Sequence, residues 1–231
     1  MKHDLTRHIG IIGIDASYNS SGICIRFFDK NKKEQFHLYR LFPDYDKKKN
    51  SVHIKCLTYP KVYTETKDFE IDDLGKIENC KRITLTIKNL MDRYEKEFDI
   101  KAWDIRFEGN VMNSFGGGLL RIVDMVNLTG ILKANLINKK SVGSVYAILE
   151  LKKLFCGRAR PATIKCPKTG KRKPSEDSKM MMINKFLTIY PDFDTTGKID
   201  DVIDAYALST VPLKHSEDKL RKLTEYIKSL E

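Results

Sequence analysis

The chain has no Cys-x-x-Cys pair, no histidines at ligand spacing, and no apolar stretch near the ~20 residues a membrane span requires. Each absence removes a class of protein. Cys24, Cys56, Cys80, Cys156 and Cys166 are odd in number and scattered, which argues against zinc ribbons and disulfide frameworks. Reduced, ordinary thiols are the expectation, including Cys156 and Cys166, which flank a basic segment. His3, His8, His37, His53 and His215 fall mostly in termini or loops and receive no role. Met1 to His8 is charged, and the apolar run after it is too short for a signal sequence, so a cytoplasmic protein with no membrane partner is expected. There is no internal repeat and no low-complexity tract. Acidic residues are in deficit: 31 Asp and Glu stand against 42 Lys and Arg, a formal charge of +11, and the natural partner of such a surplus is a polyanion.

What is present suffices for one well-buried domain: 231 residues, 41% hydrophobic. Ile9–Asp15, Gly22–Phe28 and Glu34–Leu41 read as three strands of an antiparallel meander, the first β-branched and glycine-punctuated. Phe42 to Asp73 is an excursion in which Ser51–Tyr59 is either a further strand or part of an insertion lobe. Apolar residues at three- and four-residue spacing predict a helix from Ile77 or Asn79 to Phe98, which feeds a strand over Trp103–Glu108. A second helix is expected over Leu119–Leu136, with Gly130 marking a close contact to a neighbouring element. Val142–Ala147 reads as a short parallel strand followed by a helical turn through Leu154. Arg158 to Lys173 reads as a loop, and Ser175 as the N-cap of a helix running to about Tyr190. A helix starting at Asp200 or Asp201 ends at Pro212, and a charged amphipathic helix spans Glu217–Leu230. This order predicts an α/β protein with a mixed sheet flanked by helices.

Three segments set carboxylates at the edges of these elements. Asp15 ends the first strand, Glu108 ends the strand from Trp103, and Asp201 and Asp204 lie three apart on one face of a helix, with Val202, Ala205 and Leu208 packing behind them. Asp after a strand is commonly a turn residue, and Asp at a helix start is commonly there for the dipole. Neither reading accounts for Glu108, which closes an apolar strand, or for Asp204. Four carboxylates gathered in one place repel unless a cation lies between them, and hard oxygen donors suit magnesium or manganese. Arg158, Arg160, Lys165, Lys168, Lys171, Arg172 and Lys173 stand among Pro and Gly just before the acidic helix, as a segment able to grip phosphates. The bland alternative is a solvated charged face. Trp103, Phe107, Tyr18 and Phe115 lie near the carboxylates in sequence and are candidates either for the core or for stacking on bases.

These residues resemble the RuvC-type Holliday-junction resolvases of the RNase H-like superfamily, in the divergent form carried by phages. Ile11-Ile12-Gly13-Ile14-Asp15-Ala16-Ser17 with Ser21-Gly22 is similar to that family's first strand and turn, Phe107-Glu108-Gly109 to its second acidic motif, and Asp201-Val202-Ile203-Asp204-Ala205-Tyr206-Ala207-Leu208 to its final Asp-x-x-Asp-Ala-x-Ala-Leu helix. The likeness runs from about Ile9 to Thr210; the 42–73 excursion and the expanded 158–173 segment depart from the compact pattern. The resemblance implies a five-stranded RNase H-like sheet and two Mg2+ ions, replaceable by Mn2+, held by Asp15, Glu108, Asp201 and Asp204. It also implies an active-site lysine at Lys179, with Lys173 as competitor, and a homodimer that cuts branched DNA to leave 5′-phosphate and 3′-hydroxyl ends. The helix Leu119–Leu136 is the expected dimer face. Alternatives are a nuclease of this fold acting on flaps, Y-junctions or RNA–DNA hybrids, and a non-catalytic nucleic-acid-binding member.

Overall fold

A computed structural model describes residues 5–17, 20–46, 51–59, 68–69, 73–109, 119–165, 172–194, 199–213 and 216–230. The chain runs through β1 (Ile9–Asp15), β2 (Ser21–Phe28), β3 (Glu34–Asp46), β4 (Ser51–Tyr59), β5 (Asp68–Phe69), α1 (Asp73–Phe98), β6 (Ala102–Glu108), α2 (Leu119–Leu136), β7 (Ser141–Tyr146), α3 (Ile148–Cys156), β8 (Thr163–Lys165), β9 (Arg172–Pro174), α4 (Ser178–Ile189), α5 (Asp200–Thr210) and α6 (Ser216–Lys228). The main sheet has the order β5-β4-β3-β2-β1-β6-β7. Strands β1, β2 and β3 are antiparallel, whereas β1, β6 and β7 are parallel. The expected five-stranded mixed sheet of an RNase H-like fold is therefore the core β3-β2-β1-β6-β7. The excursion joins it at one edge: β3 runs on to Asp46 and pairs with β4 from Leu38↔Tyr59 to Asp46↔Ser51.

Period-two alternation decides which side chains face which layer. On β1, Ile12 and Ile14 enter a core with Ile23, Ile25, Phe27, Trp103, Ile105 and Phe107, under α1 and α2. The opposite face takes α5, whose Val202, Ile203, Ala205 and Leu208 share a second core with Cys24, Leu38 and Tyr146. A third, smaller cluster packs Leu223 and Ile227 of α6 against Ile9, Ala102 and Val142. Trp103 and Phe107 are fully buried in the first core and cannot stack on bases; Tyr18 and Phe115 lie outside the described residues. Among the described residues no helix is long and apolar enough to cross a membrane.

Three local expectations need correction. Gly130 marks no close contact: it is exposed, with no neighbouring atom where a Cβ would stand. The basic segment is not wholly a loop, since β8 and β9 pair as a ribbon from Thr163↔Pro174 to Lys165↔Arg172. The N-cap of α4 is Asp177 rather than Ser175, its carboxylate accepting the Lys179 N–H at 2.9 Å. Ser175 is committed elsewhere, its N–H donating to the Ala162 carbonyl at 2.6 Å across the base of the ribbon. On α2, Leu128, Leu132 and Leu136 are buried in the chain's own core, and the outward side carries Val126, Asn127 and Gly130.

Candidate active site

Cross-strand pairing lines up one row of residues at the end of the sheet. Tyr146 pairs with Glu108, and Ile14 pairs with Phe107, so Asp15 follows beside Glu108; Asp15 pairs with Gly22, and Gly22 with Arg40. By alternation Asp15 and Glu108 point to the α5 face. The turn after Asp15 is tied by Ser21, whose Oγ accepts the Ser17 N–H at 3.1 Å and donates to the Ser17 carbonyl at 2.7 Å.

Helix α5 comes down onto this row where the strands carry glycine. A Cβ on Gly13 would collide with the Ala205 carbonyl, and one on Gly22 with the Asp201 carbonyl. The missing side chains let the helix backbone press on the sheet, which sets Asp201 and Asp204 over Asp15 and Glu108. Asp200 and Asp201 occupy the first turn, where the helix dipole favours negative charge.

The electrostatics report the crowding. Burial, then the charge of Glu108, drives the Asp15 carboxyl well above its ordinary range, and Asp15 and Glu108 share a hydrogen bond. Burial, with Asp204 and Asp201 nearby, pushes Glu108 up to about 7. Burial and the charge of Asp15 push Asp204 up to about 8. Such clustering of elevated acids is characteristic of functional sites.

Among the described residues, three cations border the acids. Lys179 forms an ion pair with Asp200 that raises its own pKa, the fields of Asp201 and Asp204 adding to it. Arg40 donates from Nε to Ser20 Oγ at 2.7 Å and stands 3.9 Å from Asp201 Oδ2. Lys152, on α3, donates to Ser178 Oγ at 2.7 Å, and its charge partly offsets the elevation of both Glu108 and Asp204. The sequence reading missed Lys152, Asp200 and Arg40. A usable signal existed for Lys152: α3 starts two residues after Tyr146, the partner of Glu108, so its first turns must stand beside the acids.

Similar folds occur among solved resolvases. RuvC of Thermus thermophilus is 10% identical with a TM-score of 0.45, the match covering 96% of each chain. The same protein in complex with a Holliday junction substrate gives 8%, 0.44 and 96% of each chain. The yeast mitochondrial Holliday junction resolvase Ydc2 gives 9% and 0.44, covering 95% of this chain and 80% of that one. No family model matches the sequence, and no curated protein does.

The donor chemistry fits a hard divalent cation: the four acids offer carboxylate oxygens, and three of them are raised by burial and mutual repulsion that a cation would relieve. As the side chains are oriented, no three His, Cys, Asp or Glu among the described residues are grouped to hold an ion. Of the basic segment, Arg158 pairs with Glu176 at 2.7 Å, while Arg160 and Arg172 are exposed. The side chains of Lys165 and Lys173, and Lys168 and Lys171 altogether, lie outside the described residues. The ribbon leaves after α3 and returns before α4, and the Lys152–Ser178 contact ties its base beside the acids.

Lys152→Met is expected to raise the titration midpoints of Glu108 and Asp204 further, because a positive charge that favours their ionised forms is gone. A carboxyl NMR titration without divalent cation checks this. Unchanged midpoints would remove Lys152 from the site.

Proposed function

We propose that this chain is a structure-selective, divalent-metal-dependent DNA endonuclease that resolves four-way junctions, acting as a homodimer whose two-fold symmetry suits paired cuts on opposed strands. The observation that carries the reading is the convergence of Asp15, Glu108 and Asp204 with elevated pKa values, at the ends of the central strands beneath α5, in a chain of charge +11. Asp15, Glu108, Asp201 and Asp204 would hold two Mg2+ ions, with Mn2+ able to substitute. Magnesium supplies the Lewis acidity that makes water a nucleophile near neutral pH and offsets charge on the departing 3′-oxygen.

The chain's own residues do the rest. Asp15 and Glu108 share a hydrogen bond, so to hold a cation they would have to give up the proton between them, and metal binding would release protons. Lys179 and Lys152 bracket the acids with positive charge where a scissile phosphate would sit, and Arg158, Arg160 and Arg172, with the lysines of the same segment, hold flanking phosphates without reading sequence. The products are 5′-phosphate and 3′-hydroxyl ends.

Labelled four-way, three-way, flap, linear and RNA–DNA hybrid substrates, incubated with Mg2+ or with chelator, test this directly. Symmetric paired cuts in the four-way junction, dependent on Mg2+, are expected. Faster cutting of the flap or hybrid would transfer the assignment to that substrate, and salt-sensitive binding with no products under any metal would make the chain a non-catalytic binder.

A further inference from the structure

Strand β6 carries an ion pair in an unusual place. Asp104 and Arg106 point to the same face as Glu108 and are almost fully buried, Arg106 at 4% exposure, with Arg106 Nη2 standing 2.7 Å from Asp104 Oδ2 and Nε donating to the same oxygen at 2.8 Å. The free end of the guanidinium reaches the carboxyl end of α5: Nη1 donates to the carbonyls of Leu208 at 3.1 Å, Ser209 at 3.0 Å, and Val211. From β2, on the far side of β1, Arg26 Nη1 donates to the Ser209 carbonyl at 2.7 Å. A helix ends with carbonyls that have no intrahelical partner and with a partial negative charge, and two guanidiniums satisfy both at once.

We propose that Arg106 is a positioning residue for the carboxylate site: together with Arg26 it grips the end of α5 and thereby sets the separation of Asp201 and Asp204 from Asp15 and Glu108. This rests on the nuclease reading of those acids. Arg106 lies two residues from Glu108 on one rigid strand, and its carbonyl partners lie only about 6–10 Å along the helix axis from Asp204. The grip therefore ties the two halves of the site through a short path. Asp104 fixes the guanidinium plane, so the fork has one orientation rather than several. A buried ion pair is a weak source of stability compared with an apolar replacement, which leaves placement as what this one contributes.

Arg106→Lys keeps the charge and loses the planar fork. The expected result is a folded protein that binds junction DNA in chelator as the wild type does, binds Mn2+ about 10-fold more weakly by calorimetry, and shows kcat lowered about 100-fold at unchanged KM, the effect of displacing reacting groups by about 1 Å. Excess Mn2+ restores part of the rate. Arg26→Lys, which disturbs one carbonyl contact, shows the same pattern at smaller size, and it decides the matter on the same two readouts if Arg106→Lys does not fold. Variants that melt at lower temperature yet bind Mn2+ and cut junctions like the wild type well below melting would overturn the positioning role and leave the nuclease reading intact. A wild-type protein that neither binds Mn2+ nor cuts would end both.

Discussion

Asp204→Asn binds a four-way junction as the wild type does, cuts it about 10²–10³-fold more slowly, as when one preorganised charge-handling group is removed from a site, and melts at a higher temperature when no divalent cation is present. The last effect separates a cation site from an ordinary salt-bridge network. Asp204 has its folded-state midpoint raised to about 8 from 3.8, so between those values the folded chain holds a proton that the unfolded chain releases. Its contribution to stability is therefore full below about pH 4 and is lost as pH rises through 8. Asparagine cannot ionise, so the variant escapes that loss. At pH 8 without metal the variant therefore melts several degrees above the wild type. Magnesium should reverse the order by stabilising the wild type more than the variant. Calorimetry at pH 5 and pH 8, with chelator and with Mg2+, gives the four numbers needed. A variant that melts below the wild type at pH 8 in chelator would mean Asp204 is held by attractive partners, and retained cleavage would take it out of the mechanism.

The acids were legible as candidates because Asp15 and Glu108 each close an apolar strand and three-residue spacing puts Asp201 and Asp204 on one helix face. What stayed hidden depends on contacts between residues far apart in sequence. Arg106 reads in isolation as a flaw in a buried strand, and only the docking of α5 some hundred residues later gives its guanidinium three carbonyls. His37 gave no ligand pattern and received no role; it is engaged with the Tyr94 hydroxyl, which Tyr39 meets at 2.6 Å, inside the α1 layer. Helix starts were equally ambiguous. Ser175, Asp177 and Ser178 all suit an N-cap, and the choice fell to Asp177 because the Ser175 backbone is drawn into the ribbon. Strands of three residues such as β8 and β9 show no periodicity, and their Pro, Gly and Lys neighbours have the composition of a loop. The added strand β4 was visible as β-prone sequence, but nothing local says which strand it joins.

Gly22→Ala and Gly130→Ala should move stability in opposite directions, though each adds the same methyl group. At Gly22 the new carbon would overlap the Asp201 carbonyl and lie 2.9 Å from the Val202 nitrogen, both backbone atoms of α5 that no rotamer change can move aside. Relief requires the first turn of α5 to lift from the sheet, which takes Asp201 away from Asp15. Overpacking of this kind costs about 1–3 kcal/mol, which lowers Tm by roughly 2–12 °C, and a displacement of about 1 Å at reacting groups lowers the cleavage rate by about 100-fold. At Gly130 no atom stands near the added carbon and the position is an exposed helix interior, so alanine gains about 0.5–1 kcal/mol through helix propensity and leaves cleavage unchanged. Gly13→Ala falls between: it pushes on Ala205 and lies 2.9 Å from the Ser209 nitrogen, beyond the acids and near the carbonyls that Arg106 and Arg26 hold. Its loss of stability should match that of Gly22→Ala while its loss of rate is smaller. Equal melting temperatures for the Gly22 and Gly130 variants would mean that α5 has slack against the sheet, and the four carboxylates would then lack the fixed separation on which a two-ion site depends.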